Sequence, residues 1–192
     1  MEVDDISDTI GVARTEVVNE LIDVHLPPES LEEQWDIPSL EKEVEARFGL
    51  AMPVGQWLAE DDTLHEETLR QRIESEVISA YEQKAAGVGE EVIRHLEKAI
   101  MLRVLDEQWK DHLAQMDHLR QGIGLRGYAQ KNPKQEYKRE AFGMFTEVLD
   151  RVKNETIGIL SKIQIQTSAE VEELEVQRRR QGVDGREFLH PS

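Results

Sequence analysis

The sequence predicts an all-α protein that contains a long antiparallel helical hairpin. Apolar residues recur every three or four positions along most of the chain, which is the period of an amphipathic helix. Aromatic residues make up only 5% of the 192 residues and charged residues 33%. A β-sandwich would need more aromatic and β-branched side chains, so this composition favours packed helices.

Composition excludes several classes of protein. There is no cysteine, which excludes disulfide staples, thiol catalysis, zinc ribbons and iron–sulfur clusters in this chain. No apolar run approaches the roughly 18 residues of a transmembrane helix, and no apolar stretch of a signal peptide follows Met1. We therefore expect a soluble, non-secreted protein, one too short to be a complete nucleotide-driven machine.

Charge is distributed unevenly along the chain. Residues 1–97 carry 25 acidic and 7 basic side chains, whereas residues 98–192 carry 15 and 16. The acidic first half makes nucleic acid an unlikely partner of the whole chain. Residues 120–139 contain six basic side chains and one acidic one. That cluster could meet a phosphate or an anionic membrane surface, or it could simply be a solvated helix end.

The first 86 residues read as one amphipathic helix followed by a cluster of short helices. The first helix carries its apolar residues three and four positions apart and should end at Pro27–Pro28. The pairs Ser30 with Glu33 and Thr63 with Glu66 have the spacing of capping boxes. Further helices are predicted from Pro38 to Gly49 and from Pro53. The proposed apolar positions are Ile6, Ile10, Ala13, Val17, Leu21 and Val24, then Leu40, Val44 and Phe48, then Leu69, Ile73, Val77 and Tyr81, with Trp35 and Trp57 as core anchors.

Two long helices are predicted at 90–122 and 133–165, on either side of a ten-residue connection. Glycines 87 and 89 mark the boundary before the first, since glycine is costly inside a helix. Asn132 and Pro133 are a strong start signal for the second. Equal lengths and a short connection imply an antiparallel hairpin, in which Trp109 should be substantially buried and His112 should be a hydrogen-bonded core residue. Residues 167–192 read as a frayed, partly disordered polar tail.

The chain shows no self-sufficient active site. It lacks the glycine-rich phosphate loop of nucleotide hydrolases, the dinucleotide-binding glycine motif and the paired-histidine zinc motif of metalloproteases. His112 and His118 are six residues apart and lie on different helical faces. The carboxylates of Asp61, Asp62, Glu66 and Glu67 are explained by nearby helix N-termini. We therefore expect no catalytic residues, no metal and no cofactor.

The segment between the two long helices is the strongest functional signal. GIGLRGYAQKNPKQEYKR (residues 122–139) combines three glycines, Tyr128 and five of the clustered basic residues. A simple reversal of direction needs only two to five residues, so the hairpin tip is longer than its geometry requires. Tyr128 either folds back onto the stems or is a contact residue at the end of a rigid two-helix lever.

Residues 105–145, LDEQWKDHLAQMDHLRQGIGLRGYAQKNPKQEYKREAFGMF, resemble the two-helix finger of the SecA family, the motor ATPases of bacterial preprotein export. PPESLEEQWDIPSLE and LHEETLRQRI resemble the helical wing domain of that family, and residues 3–24 resemble the end of its long scaffold helix. The resemblance covers nearly all of residues 3–175. It implies scaffold at 1–25 and 88–166, with the wing inserted at 26–87.

The resemblance also implies a function. In the family the finger enters the SecYEG channel and its tip meets the translocating polypeptide, so Tyr128, with Arg126, Gln130 and Lys131, becomes the expected contact site. The nucleotide-binding domains of the family are absent, so this stretch is expected to have no ATPase activity of its own. The cysteine-containing zinc tail of the family is absent as well, and its role is not carried over.

Expected partners are SecYEG, preproteins, the remaining SecA domains, a second copy of the protein and, peripherally, an anionic membrane surface. The expected location is the cytoplasm and the inner face of the plasma membrane. Two alternatives remain: a free-standing coiled-coil adaptor or dimerisation module, and an RNA- or lipid-binding hairpin. Sustained heptads would favour the adaptor, and aromatic residues interleaved with basic ones would favour RNA.

Overall fold

A computed structural model of the chain describes residues 4–61, 63–123 and 132–164. Within these ranges it is all-α, without a strand, as predicted. A single 3₁₀ turn, Glu32–Gln34, follows the first helix. The helices are α1 (Asp4–His25), α2 (Ile37–Phe48), α3 (Val54–Glu60), α4 (Glu66–Val88), α5 (Glu90–Ile123) and α6 (Pro133–Lys162).

The first helix ends where the proline pair predicts. α1 stops at His25, two residues before Pro27. Arg70 of α4 closes this end: its Nη2 donates to the carbonyl of Leu26 at 3.2 Å, and its Nη1 lies 2.6 Å from Asp23 Oδ1. The guanidinium thereby satisfies a carbonyl that the terminated helix leaves without a partner.

Helix α2 begins and ends as the sequence indicates. Asp36 is its N-cap and accepts a hydrogen bond from the Ser39 N–H at 3.2 Å. Pro38 is the second residue of α2, whereas the sequence predicts it as the first; the difference is within the usual uncertainty of helix ends. Gly49 ends the helix at φ 71°, a left-handed conformation that favours glycine.

The first predicted capping box is wrong. Ser30 does not cap a helix, because its Oγ accepts a hydrogen bond from the indole Nε1 of Trp35 at 2.9 Å. The 3₁₀ turn begins after Leu31 instead, and the Leu31 N–H donates to Gln34 Oε1 at 3.1 Å. The four-residue pattern does not reveal that a tryptophan outside it will use the serine hydroxyl.

The second predicted capping box is displaced by two residues. Asp61 Oδ1 accepts two hydrogen bonds from Thr63, one from its N–H at 3.0 Å and one from its hydroxyl. α4 begins at Glu66 after His65, whose N–H donates to Thr68 Oγ1 at 2.9 Å. These bonds to Thr63 lower the pKa of Asp61.

The core is mainly aliphatic and is shared by all six described helices. The predicted buried positions of α2 and α4 are all confirmed, whereas Val24 of α1 is exposed. Trp35 and Trp57 are only half-buried at the margin of the core, so the expectation that they anchor it is wrong. Buried members include Ile10, Val17, Val18, Leu21, Ile22, Leu26, Leu40, Val44, Phe48, Leu69, Ile73, Val77, Val104, Val148, Val152, Ile157 and Leu160.

The two long helices run antiparallel along their described stems. Gln108 Nε2 of α5 donates to Glu155 Oε2 of α6 at 2.8 Å. Further along α5, the His112 ring lies 6.2 Å from that of Phe145. A later residue of α5 is therefore paired with an earlier residue of α6, the order that an antiparallel hairpin requires.

The expected burial of Trp109 is wrong. Its side chain is 42% exposed, and Leu105 on the same stripe is exposed as well. α5 instead buries Ile100, Val104 and His112. Because α5 carries apolar residues on a broad arc, periodicity alone does not determine which part of that arc the other helices cover.

Helices α4 and α5 are joined by a single residue. α4 continues through Gly87 to Val88, and Gly89 has φ 100° before α5 begins at Glu90. The predicted boundary at 87–88 lies at the end of α4, next to this junction. The division into wing and scaffold remains a prediction. The two parts also touch away from the junction, where Arg47 Nη1 donates to Asn154 Oδ1 at 3.0 Å.

The two glycines at this junction should respond oppositely to alanine. A Cβ at Gly87 would meet no atom within 4 Å, and alanine favours the helix, so Gly87→Ala should raise the free energy of unfolding by about 0.5–1 kcal/mol. Gly89→Ala should lower it by about 1–3 kcal/mol, since its backbone conformation is essentially confined to glycine. Urea unfolding followed by circular dichroism tests both; a stabilising Gly89→Ala would contradict the assigned backbone.

A pair of phenylalanines tests where the core lies. Phe48 is 1% exposed, and Phe142 on α6 is 74% exposed. We expect Phe48→Ala to cost about 3–5 kcal/mol of unfolding free energy, and Phe142→Ala to change it by less than about 0.5 kcal/mol. Equal losses in thermal or urea unfolding would show that the α6 surface is part of the core.

Candidate functional site

The predicted contact residues Tyr128, Arg126, Gln130 and Lys131 lie outside the described residues. They belong to residues 124–131, between the end of α5 at Ile123 and Asn132. Their assignment therefore remains a prediction. The structure describes the two stems that carry them and the helices that hold those stems.

The start of the second stem is built as predicted. Asn132 is the N-cap of α6, and its Oδ1 accepts from the Lys134 N–H at 3.1 Å. Pro133 occupies the first turn, where its missing N–H is not needed. The Asn132 carbonyl accepts from the Gln135 and Glu136 N–H groups. The direction in which the chain enters α6 is thus set by local hydrogen bonds.

The stem ends beside the tip carry exposed charges of both signs. Arg120 pairs with Asp117 at 2.6 Å, and Arg139 pairs with Glu136 at 2.8 Å. Glu136 is half-buried and the other three side chains are exposed, and ion pairs at the surface contribute little to stability. They do offset part of the positive charge of the basic cluster, so its anion attraction depends mainly on its remaining basic residues.

An apolar face runs along both stems. Its members follow a helical spacing on each helix, and all are exposed. His112 joins the two halves, because its ring lies 5.2 Å from the Trp109 ring and 6.2 Å from the Phe145 ring. We call this surface the hairpin apolar face; it comprises Leu102, Leu105, Trp109, Leu113, Phe142, Phe145 and Leu149.

The sequence predicts burial for only one member of this face, Trp109. The available signal was the breadth of the apolar stripe on α5, which is too wide for one partner helix and indicates an additional contact. Contiguous exposed apolar surfaces often mark interaction sites. The hairpin apolar face is therefore a candidate contact surface that the tip motif did not reveal.

His112 is buried as predicted, but its hydrogen bonding differs from the expectation. Its Nδ1 has no hydrogen-bond partner among the described residues. The imidazole instead lies between two aromatic rings, one from each stem. Across the described part of the chain, no group of His, Cys, Asp or Glu side chains is arranged to hold a metal ion.

The C-terminal half of α6 is anchored to three other helices. Lys153 Nζ pairs with Glu20 Oε1 at 2.5 Å and with Glu16 Oε2 at 3.3 Å, both on α1. The hydrogen bond with Glu20 is the main cause of the raised pKa of Lys153. Lys162 donates to the Ala46 carbonyl of α2 at 3.2 Å, and Lys84 of α4 donates to the Ser161 carbonyl. The hairpin is therefore held firmly at its base.

A groove lies beside this base, between α1, α5 and α6. Its volume is about 490 Å³, and Val12, Met101 and Leu149 contribute to its apolar lining. Leu149 also belongs to the hairpin apolar face, so groove and face are continuous. Among the described helices, none is long and apolar enough to cross a bilayer.

Comparison with known proteins shows the family to which this chain belongs. The family model of the SecA wing and scaffold domain matches residues 1–164. Protein translocase subunit SecA of Nitrosococcus oceani and that of Methylococcus capsulatus are each 54% identical over 179 residues, 93% of this chain and 20% of the relative. The Coxiella burnetii subunit is 56% identical over 171 residues, 89% of this chain and 19% of the relative. The chain thus spans about a fifth of the length of these relatives, and it belongs to the SecA wing and scaffold domain family.

Proposed function

We propose that this chain is the wing and scaffold part of a motor that drives preproteins through the SecYEG channel. In this role the hairpin contacts the translocating polypeptide at its tip and regulates ATP hydrolysis elsewhere in the motor. Family membership over residues 1–164 is the observation that carries the proposal. The base anchoring of the hairpin supports it, because a contact at the tip needs a stem that resists displacement.

The hairpin is suited to act as a lever. α5 has 34 residues and α6 has 30, so each stem is about 45–50 Å long at roughly 1.5 Å per residue. Ion pairs and carbonyl contacts anchor α6 at Lys153 and beyond. A displacement of the helix cluster would therefore be transmitted along both stems toward residues 124–131.

Tyr128 is our candidate for the polypeptide contact. A tyrosine ring offers apolar contact that does not depend on substrate sequence, and its hydroxyl tolerates water. Gly124 and Gly127 precede it and allow backbone conformations that turn the side chain away from the stems. Arg126, Gln130 and Lys131 would surround it with polar groups that keep the tip hydrated.

The hairpin apolar face is our candidate for the contact with the rest of the motor. The relatives are about five times longer than the matched region, so most of the polypeptide that could cover this face lies outside the chain. We assign ATP hydrolysis to those other parts, and no catalytic, metal or cofactor role to this one. The expected location is the cytoplasm, with peripheral attachment to the inner membrane and its anionic lipids.

The function is tested at the tip in full-length protein. Tyr128→Ala should reduce preprotein translocation severely while basal ATP hydrolysis survives, and Tyr128→Phe, which keeps the ring, should retain most translocation. The free energy of unfolding should change by less than about 0.5 kcal/mol, as for other surface positions. Translocation into channel-containing vesicles and thermal unfolding are measured on the same variants. A large fall in melting temperature would show that Tyr128 packs on its own stems, and the contact role would be wrong.

The dimerisation alternative is favoured by one observation, the exposed hairpin apolar face. On α5 its members lie three, four and four residues apart, a spacing that helix-pairing seams also use. On the motor proposal, a second copy would cover this face only when the remaining domains are missing. Self-association of the short chain would then be a consequence of its length.

Sedimentation velocity separates these two roles. We expect the 192-residue chain to self-associate, and Phe142→Ser to abolish this because it removes the most exposed member of the face. Val24→Ser, a matched change at an exposed residue of α1 that does not line the groove, should leave self-association intact. In the full-length protein, Phe142→Ser should leave the assembly state unchanged; loss of a dimer there would favour the alternative.

A further inference from the structure

A buried carboxylate joins the helices on the two sides of the Gly89 junction. Glu97 of α5 is only 3% exposed. Its Oε1 accepts a hydrogen bond from the Tyr81 hydroxyl of α4 at 2.7 Å. Its Oε2 accepts from the Ser7 hydroxyl of α1 at 2.9 Å. Three helices therefore share one carboxylate.

Arg14 completes this cluster from α1. Its guanidinium carbon lies 3.5 Å from the centre of the Tyr81 ring, a cation–π distance. The side chain is buried, and its Nε and Nη2 have no hydrogen-bond partner in the described part of the chain. Glu97 and Glu82 supply favourable charge interactions with it. Arg14 is thus held in place by the ring and by nearby negative charge.

These groups have no role in the proposed polypeptide contact, yet their burial is costly. Burial lowers the pKa of Arg14. Burial, followed by the hydrogen bond to Glu97, raises the pKa of Tyr81. A carboxylate and a guanidinium removed from water are tolerated only when their partners are placed accurately. The cluster consequently favours one relative placement of α1, α4 and α5 over alternatives that apolar packing alone would accept.

The junction itself offers little to set the angle between α4 and α5. It consists of Gly89 alone, and a Cβ added there would meet no atom within 4 Å. Glycine permits a wide range of backbone angles. The angle must therefore be set by contacts between the two helices. Tyr81 of α4 lies eight residues before Gly89, and Glu97 of α5 lies eight residues after it.

We propose that Tyr81, Glu97, Arg14 and Ser7 form a latch that fixes the angle between α4 and α5, so that the short-helix cluster and the hairpin move as one body. The latch acts by geometry. The two oxygens of Glu97 bind donors on different helices, and a rotation of α4 about Gly89 would break the bond to Tyr81. The proposal does not depend on which polypeptide the hairpin contacts.

The test measures the angle directly in the 192-residue chain. The sequence contains no cysteine, so Ser75→Cys on α4 and Glu107→Cys on α5 provide two unique sites for spin labels at exposed positions. Double electron–electron resonance spectroscopy then gives the distribution of distances between the two labels. Tyr81→Phe removes one hydroxyl from the latch, and Tyr137→Phe, a half-buried tyrosine of α6, is the matched control.

We expect Tyr81→Phe to broaden the distance distribution and Tyr137→Phe to leave it unchanged. Hydrogen exchange of the amides at residues 82–88 should accelerate about tenfold, the equilibrium effect of losing one hydrogen bond to a charged group. Exchange in α2 should not change. An unaltered distance distribution in folded Tyr81→Phe, or equal acceleration in every helix, would overturn the proposal.

A second variant applies if Tyr81→Phe does not fold. Ser7→Ala removes the other hydroxyl donor from the same carboxylate and leaves the Tyr81 bond in place. We expect it to broaden the distribution relative to that of the unsubstituted chain, while far-ultraviolet circular dichroism stays unchanged. A folded Ser7→Ala variant with the original distribution would show that the carboxylate does not control the angle.

Discussion

The structure depends on the packing of other helices around α1. This helix buries Ile10, Val17, Val18, Leu21 and Ile22, which cover more than the single stripe of an ordinary surface helix. Ion pairs join α1 to two of its neighbours. Lys153 of α6 contacts Glu16 and Glu20, and Arg70 of α4 contacts Asp23. Apolar burial supplies most of the driving force, and the charged pairs link α1 to α4 and α6 beside this apolar surface.

This arrangement gives the two ends of the hairpin different environments. Toward its C-terminus α6 buries Val148, Val152, Ile157 and Leu160. Nearer its start it exposes Phe142 and Phe145, and the facing part of α5 exposes Trp109 and Leu113. An isolated globular domain would gain by covering these groups. Their exposure is understandable in a chain that spans about a fifth of its relatives.

Polar groups inside the helix cluster add geometric selectivity to this packing. Aliphatic side chains tolerate small rotations of one helix against another, because dispersion contacts change gradually with distance. A hydrogen-bonded carboxylate does not, since its partners must lie within a narrow range of distance and angle. Glu97 and Lys84 both occupy such positions, the first between helices and the second at the C-terminal carbonyls of α6.

Much of the local structure was predictable from short stretches of sequence. The ends of α1, α2 and α4 and the start of α6 follow from Pro27, Gly49, Gly89 and Asn132, because helix termination depends on residues a few positions apart. The apolar positions of α2 and α4 were predictable for a similar reason, since each helix has one clear stripe. The family, too, was recognisable from contiguous motifs, and the fold class followed from periodicity.

Other features were decided only by the tertiary structure. Whether Trp109 is buried depends on which part of a broad stripe another helix covers, and the apolar pattern on α5 is equally compatible with either choice. The spacing of Ser30 and Glu33 predicts a cap. Ser30 instead accepts a hydrogen bond from Trp35, which lies outside that local pattern. Of the candidate site, the start of the second stem was predictable, the tip residues remain predictions, and the hairpin apolar face appeared only in three dimensions. The sequence by itself thus determined the family, the helices and their ends through local backbone preferences. The tertiary structure decided burial, polar pairing and exposed contact surfaces, because these require side chains that are distant along the chain to meet in space.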